Sequence, residues 1–346
     1  MISALALAGV LLAPALAAPG APGAAAEKAL ASAIRSYHRL DLQGALARFD
    51  AAIDAFPGWK TASGFRAACR AALGDAAGAR DDAELAAKLK PADALSYAAR
   101  GKARLTLRDY DGALSDFRAA AEADANSVEG PLGVGSVLSS RAKIREALKP
   151  LDEAARVDPG SAAALLLRGS VKDRLRDFSG AAEDYAAVLE INPKFHWAHL
   201  YRGRALRELK DYRGAEQELS SFLAVALDHK DASYLRGNVR FLRGDFRGAV
   251  EDLTTVISLD PHNGLAYTNR GLSRARLGEK DGARADLSKA LELDPARRDK
   301  IQAAIDSISA PQQEQAHDAD APSARRAAQD MPPERRAGEE ESQFIQ

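Results

Sequence analysis

The stretch GLAYTNRGLSRARLGEKDGARADLSKALELDPAR, from Gly264 to Arg297, decides the fold. It contains two short helical patterns. The first covers about residues 265–277 and breaks at Gly278; the second covers about 280–293 and stops at Asp294-Pro295. Proline has no amide hydrogen and its ring clashes with the preceding turn, so a helix ends there.

The same unit returns every 34 residues, without a gap, back to Ala26. Counting Gly264 as place one, the eighth place reads Ala33, Ala67, Gly101, Gly135, Gly169, Gly203, Gly237 and Gly271. The twentieth place is alanine in every copy: Ala45, Ala79, Ala113, Ala147, Ala181, Ala215, Ala249 and Ala283. Proline recurs at the thirty-second place (Pro57, Pro91, Pro159, Pro193, Pro261, Pro295), with Ala125 and Leu227 as exceptions. If the two helices of a repeat lie antiparallel, the eighth and twentieth places face each other and small residues let the backbones approach. Larger residues at the twenty-fourth place, such as Phe117, Tyr185 and Leu253, then fill the space beside that contact. Aspartate precedes the second helix at Asp41, Asp75, Asp109, Asp177, Asp211 and Asp245, where an N-cap satisfies free amides and suits the helix dipole.

These units resemble tetratricopeptide repeats, helix-turn-helix units of 34 residues, over residues 26–297. The resemblance implies an all-α fold, a right-handed superhelical solenoid of antiparallel helix pairs, that binds a partner protein or peptide in its concave groove. The family's bulky residues at the fourth, seventh and eleventh places are largely missing. Tyr97 and Tyr267 keep the fourth, and the seventh is usually Arg. The family's clamp for a carboxyl terminus wants Lys at the fifth place, where this chain has Leu30, Gly64, Ala98, Leu132, Leu166, Leu200, Tyr234 and Thr268. A co-chaperone of that type is not expected.

A length of 346 residues would suggest two domains, but repeats share one continuous core in which each contacts its neighbours. Charge is balanced, 48 Lys+Arg against 49 Asp+Glu, so no net field points to nucleic acid or an anionic membrane. Cys69 is the single cysteine, which excludes an internal disulfide.

Residues 1–17 read as a signal peptide: an apolar run from Ile2 to Leu12 leads to Ala15-Leu16-Ala17, a small-x-small cleavage pattern, although no Lys or Arg precedes the run. That places the protein outside the cytoplasm, in a periplasm or at an envelope surface. An uncleaved leader would make it a membrane-anchored assembly factor, and a leader that is no signal would leave a cytoplasmic adaptor subunit. Residues 18–25 read as a flexible lead-in. After the eighth repeat, residues 298–309 keep helical spacing with Ile301, Ile305 and Ile308 on one face, as a terminal cap requires. Residues 310–346, rich in Pro, Gln and charge, read as a disordered tail.

Two repeats depart from the pattern. In repeat four Pro150 falls inside the second helix, where a kink or local opening is expected, and Lys143 replaces the capping Asp. In repeat six Leu227 replaces the proline stop, so the second helix is expected to run on toward Asp228-His229.

No catalytic or metal constellation emerges and no cofactor is implied. His196 and His199 stand three apart, but no His-Glu-x-x-His occurs and His199 takes a place that bulky residues fill elsewhere, so a packing role is expected. Cys69 lies among small residues and reads as a packing thiol.

Two pairings across the repeats carry expectations. The seventh place is Arg in six repeats (Arg66, Arg100, Arg168, Arg202, Arg236, Arg270), and the twenty-third is acidic in the same six (Asp82, Asp116, Asp184, Glu218, Asp252, Asp286). The other two repeats lack both, which predicts a bridge between the helices of each of the six. The second, fifth, ninth and twelfth places of a first helix share one face by their spacing, and in the family's arrangement that face lines the groove. Repeat six presents Trp197, Leu200, Arg204 and Arg207 there with Tyr201 at the edge. Repeat seven adds Tyr234, Asn238 and Phe241. Rings beside Arg and Asn suit a partner-binding hot spot, while Trp197 and Phe241 would equally serve packing between helices.

Overall fold

A computed structural model describes residues 22–309. The leader, the start of the lead-in and the tail lie outside the described residues, and Ala24 and Ala25 of the lead-in already belong to the first helix. The described residues divide into two compact bodies, one ending at Phe195 and the other beginning at His196. In the first body the helices are α1 Ala24–His38, α2 Leu42–Ala55, α3 Lys60–Ala72, α4 Ala76–Ala86, α5 Ala94–Thr106, α6 Tyr110–Ala123, α7 Glu129–Ser140, α8 Ile144–Val157, α9 Ala162–Arg174 and α10 Phe178–Ile191. In the second they are α11 Trp197–Glu208, α12 Tyr212–Leu223, α13 Lys230–Arg243, α14 Phe246–Leu259, α15 Gly264–Arg276, α16 Lys280–Leu293 and α17 Arg298–Ser309, the last preceded by a 3-10 turn at Pro295–Arg297. No strand occurs among the described residues. Each body is a stack of antiparallel helix pairs, one pair per repeat.

Each pair is built by the same local chemistry. All six aspartates cap as the sequence implies: the side chains of Asp41, Asp75, Asp109, Asp177, Asp211 and Asp245 accept from the amides of Gly44, Gly78, Gly112, Gly180, Gly214 and Gly248 at 2.9–3.1 Å. A side chain at Gly112 would meet the Asp109 carboxylate at 2.2 Å, which explains the glycine three residues after the cap. The residue between paired helices has positive φ throughout: Leu40, Gly74, Arg108, Ala142, Arg176, Lys210, Gly244 and Gly278. An L-residue pays about 1–2 kcal/mol in that left-handed region, so Ala142→Gly and Lys210→Gly should each raise stability by about 1 kcal/mol. An unchanged or lower denaturant midpoint would contradict this account of the turn.

The twentieth-place alanines are all buried, none more than 1% exposed. What faces the eighth-place glycines most closely is the twenty-fourth side chain: a Cβ at Gly101 would meet Phe117 at 2.9 Å, at Gly135 Leu151 at 2.5 Å, at Gly169 Tyr185 at 2.9 Å. The twentieth place enters through its backbone, with the Ala283 carbonyl oxygen at 3.1 Å from the position of a Cβ on Gly271.

All six predicted bridges form, with N···O distances of 2.6–2.7 Å. In five of them the Arg donates through both Nε and Nη2 to a buried Asp. A second cation at the eleventh place joins each of those aspartates: Arg70, Arg104, Lys172, Arg240 and Arg274. The sixth repeat differs. Its eleventh place is Leu206, and His199 from the fourth place shares Glu218 with Arg202 instead, at 2.7 Å.

The two irregular repeats hold surprises. Helix α8 runs through Pro150 to Val157 without the expected opening. The carbonyl that the missing amide leaves free belongs to Glu146, an exposed residue that water can reach. Helix α12, with 12 residues against 14 in α14 and α16, does not run on: it ends at Leu223, and the chain turns through Val225 and Leu227 so that His229 can accept from the Ala232 amide and cap α13. Beyond the eighth pair, α17 packs on α16 with Ile301 buried against Leu287 and Ala290 and with Ile305 and Ile308 half-buried.

Candidate functional site

Repeats six and seven bring the predicted face together only in part. Trp197 opens α11 and is 46% exposed, yet its ring is seated. Phe222 lies 5.3 Å away, His229 5.6 Å with its ring edge-on, and Tyr201 stacks at 6.3 Å one turn along. The His229 that caps α13 also packs edge-on against Phe222 at 5.0 Å. Arg204 is exposed, and Arg207, half-buried, donates to Glu208 from Nε at 3.0 Å.

Three residues of the predicted face are not presented. Leu200 is 7% exposed and belongs to a core with Leu219, Phe222 and Leu235. Phe241 is 7% exposed and meets Phe246 edge-on at 5.4 Å. Asn238 is 1% exposed, and its Oδ1 accepts from Asn269 Nδ2 at 2.8 Å. Leu200 is covered by α12 and α13, Phe241 by α14 and Asn238 by α15, so spacing that puts residues on one face does not keep that face open. Tyr234 is intermediate: its hydroxyl accepts from Asn269 Nδ2 at 3.1 Å, and burial pushes its phenol up.

The first body contains a polar cluster that sequence spacing did not anticipate. His38, the last residue of α1, is buried and bonded at both ring nitrogens: Nε2 to Glu129 Oε1 at 2.7 Å and Nδ1 to Ser161 Oγ at 3.1 Å. Lys102 Nζ reaches Glu129 Oε2 at 3.0 Å and lies over the rings of Tyr37 and Phe65 at 5.1 and 5.2 Å. Burial alone would raise the Glu129 acid; Lys102 and His38 outweigh it and hold it down to about 2. Lys102 is likewise raised, burial being outweighed by Glu129. The signal available in the sequence was Lys102 at a ninth place amid small residues, but its partners lie in other repeats.

Serine, histidine and glutamate in a hydrogen-bonded row invite comparison with a nucleophile and its base. Ser161 has no exposed surface, however, and its Oγ already accepts from the Ala164 amide as the cap of α9. A reacting group has no approach to it, so the row holds helices. Cys69 is also buried; its thiol donates to the Leu42 carbonyl at 3.3 Å, and burial pushes it up to about 11, far from a thiolate. His199 is engaged with Glu218, as a packing role requires. Among the described residues no group of three candidate ligands could hold a metal, and no described helix is long and apolar enough to cross a membrane.

Paired helices repeated in tandem, with buried polar residues serving packing, define a helical repeat protein of the interaction-scaffold class. The sequence profile of the tetratricopeptide repeat family matches residues 132–196, 200–246 and 234–298. Over those residues the chain carries tetratricopeptide repeats. Among solved structures it is similar to YrrB, described as a TPR protein with an unusual peptide-binding site, at 21% identity and a TM-score of 0.51, over 54% of this chain and 97% of that one. It is also similar to a chain of the APC/C hetero-tetramer Cut9–Hcn1, at 14% identity and a TM-score of 0.57, over 81% of this chain and 55% of that one. At these identities the likeness is one of fold. No curated protein matches the chain.

Proposed function

We propose that the protein is a non-enzymatic scaffold that holds a partner protein or peptide against its second body, through Trp197, Tyr201, Arg204, Arg207 and Tyr234. The observation that carries this reading is Trp197: a large ring with nearly half its surface exposed, backed on three sides by other rings. Such a ring is already immobilised, so little side-chain entropy is lost when a partner covers it. Arg204 beside it supplies a charge that aromatic hot spots commonly include. The partner is expected to be a polypeptide, with no call for nucleic acid or for a cofactor.

The test begins with capture on the full chain and identification of what is retained. Trp197→Ala combined with Arg204→Ala should then weaken that partner by ~2 kcal/mol or more, about thirtyfold in Kd, with the thermal melt nearly unchanged. Equal capture by the double variant would remove the face from consideration. The apolar run Ile2–Leu12 and the Ala15-Leu16-Ala17 pattern support export to a periplasm or envelope. Sequencing the amino terminus of the protein from its cell would decide: a start near residue 18 fits export, while an intact start in the membrane fraction fits the anchored assembly factor. An intact start in the cytoplasm fits the adaptor.

A further inference from the structure

Stacked repeats ordinarily touch only their neighbours. The first body departs from that rule. His38 ties α1 to residues 91 and 123 positions away, at the starts of α7 and α9. A second tie lies on the surface, where Asn192 Nδ2, just after α10, donates to the Arg39 carbonyl at 3.0 Å. The first helix pair is thereby closed onto the fourth and fifth.

Small residues make the closure possible. A Cβ on Gly64 would lie 2.4 Å from the Ala99 carbonyl oxygen, and one on Gly130 2.7 Å from the Ala121 amide nitrogen. Successive pairs therefore approach closely on this side, and α1 comes into contact with α9. The closing contact itself is polar. The apolar cluster around Leu30 and Ala33 of α1 is shared with α2, α3, α5 and α6, and the one around Ala164 and Val171 of α9 with α7 and α8.

We propose that His38, Glu129, Lys102, Ser161 and Asn192 form a latch that closes the first body on itself, and that the latch opens at the α1–α9 junction while every helix pair stays folded. Beside it lies a cavity of about 320 Å³, lined by Tyr37, Ala68, Lys102, Thr106 and Ser136 among others, which opening would widen. The charge arrangement sets the direction of release. Lys102 is buried only because Glu129 answers its charge, so neutralising Glu129 favours the state in which Lys102 reaches water. The latch does not depend on the partner-binding face of the second body.

The test is the distance between spin labels on Arg35→Cys and Lys194→Cys, both exposed positions in this body, measured by double electron–electron resonance on the full chain. Cys69 can remain, since its buried thiol is unreactive. The parent should show one short, narrow distance. Glu129→Gln and His38→Ala should each shift it to a longer, broader distribution while far-UV circular dichroism keeps its helical amplitude. Asn192→Ala, which removes only the exposed tie, should broaden it in part and guards against loss of folding in the buried variants. Unchanged distributions in all three variants would overturn the latch. So would lengthening that occurs only together with loss of helix, because the cluster would then be core.

Discussion

Replacing Asp252 with alanine is expected to destabilise the chain by about 3–5 kcal/mol, read as a drop in the denaturant midpoint. Asp252 is 4% exposed and accepts from Arg236 through two nitrogens and from Arg240 through a third. Its removal leaves Arg236 with no carboxylate partner and Arg240 with only Glu216 and the more distant Asp245, in a half-buried site. Their side chains keep 18–20% exposure, so some water reaches them and the lower end of the range is favoured. Glu218→Ala is the internal control. Glu218 is 15% exposed, Arg202 is 34% exposed, and no eleventh-place cation depends on it. Its loss should be clearly milder. Equal effects at the two positions would show that the second cation contributes nothing.

The next largest effect is expected at the twentieth place. Ala215→Leu and Ala249→Leu should each cost ~1–3 kcal/mol through overpacking. Both alanines have no exposed surface, and the twenty-fourth side chain beside each already fills the gap against the eighth-place glycine: Leu219 against Gly203, Leu253 against Gly237. The added carbons have nowhere to go unless the paired helices move apart, which would also stretch the Arg202–Glu218 or Arg236–Asp252 bridge. Thermal melts matching the parent for both variants would refute the close-contact assignment.

Much of this architecture is legible because it is local. Asp and Gly three residues apart report a cap, the eighth, twentieth and twenty-fourth places report a hairpin's packing, and Arg at the seventh with acid at the twenty-third reports a contact 16 residues away. The eleventh-place cation was equally readable, since Arg or Lys stands there in the five repeats whose acid is Asp, but it carries no meaning until the geometry shows two cations on one carboxylate. Leu227 misled for a physical reason: loss of a proline stop permits a longer helix, but the need to cap α13 with His229 ended α12 early.

By itself, then, the sequence determined the helical pair, its turn, its caps, its internal bridge and the number of times it recurs, because each of those depends on residues within one 34-residue period. Only the tertiary structure decided which residues of a shared helix face remain open. It buried Leu200, Asn238 and Phe241 while leaving Trp197 and Arg204 accessible. It also decided that His38 meets Glu129 and Ser161. Those outcomes depend on how closely neighbouring pairs approach and on how small rotations between them accumulate, and no single repeat encodes that sum.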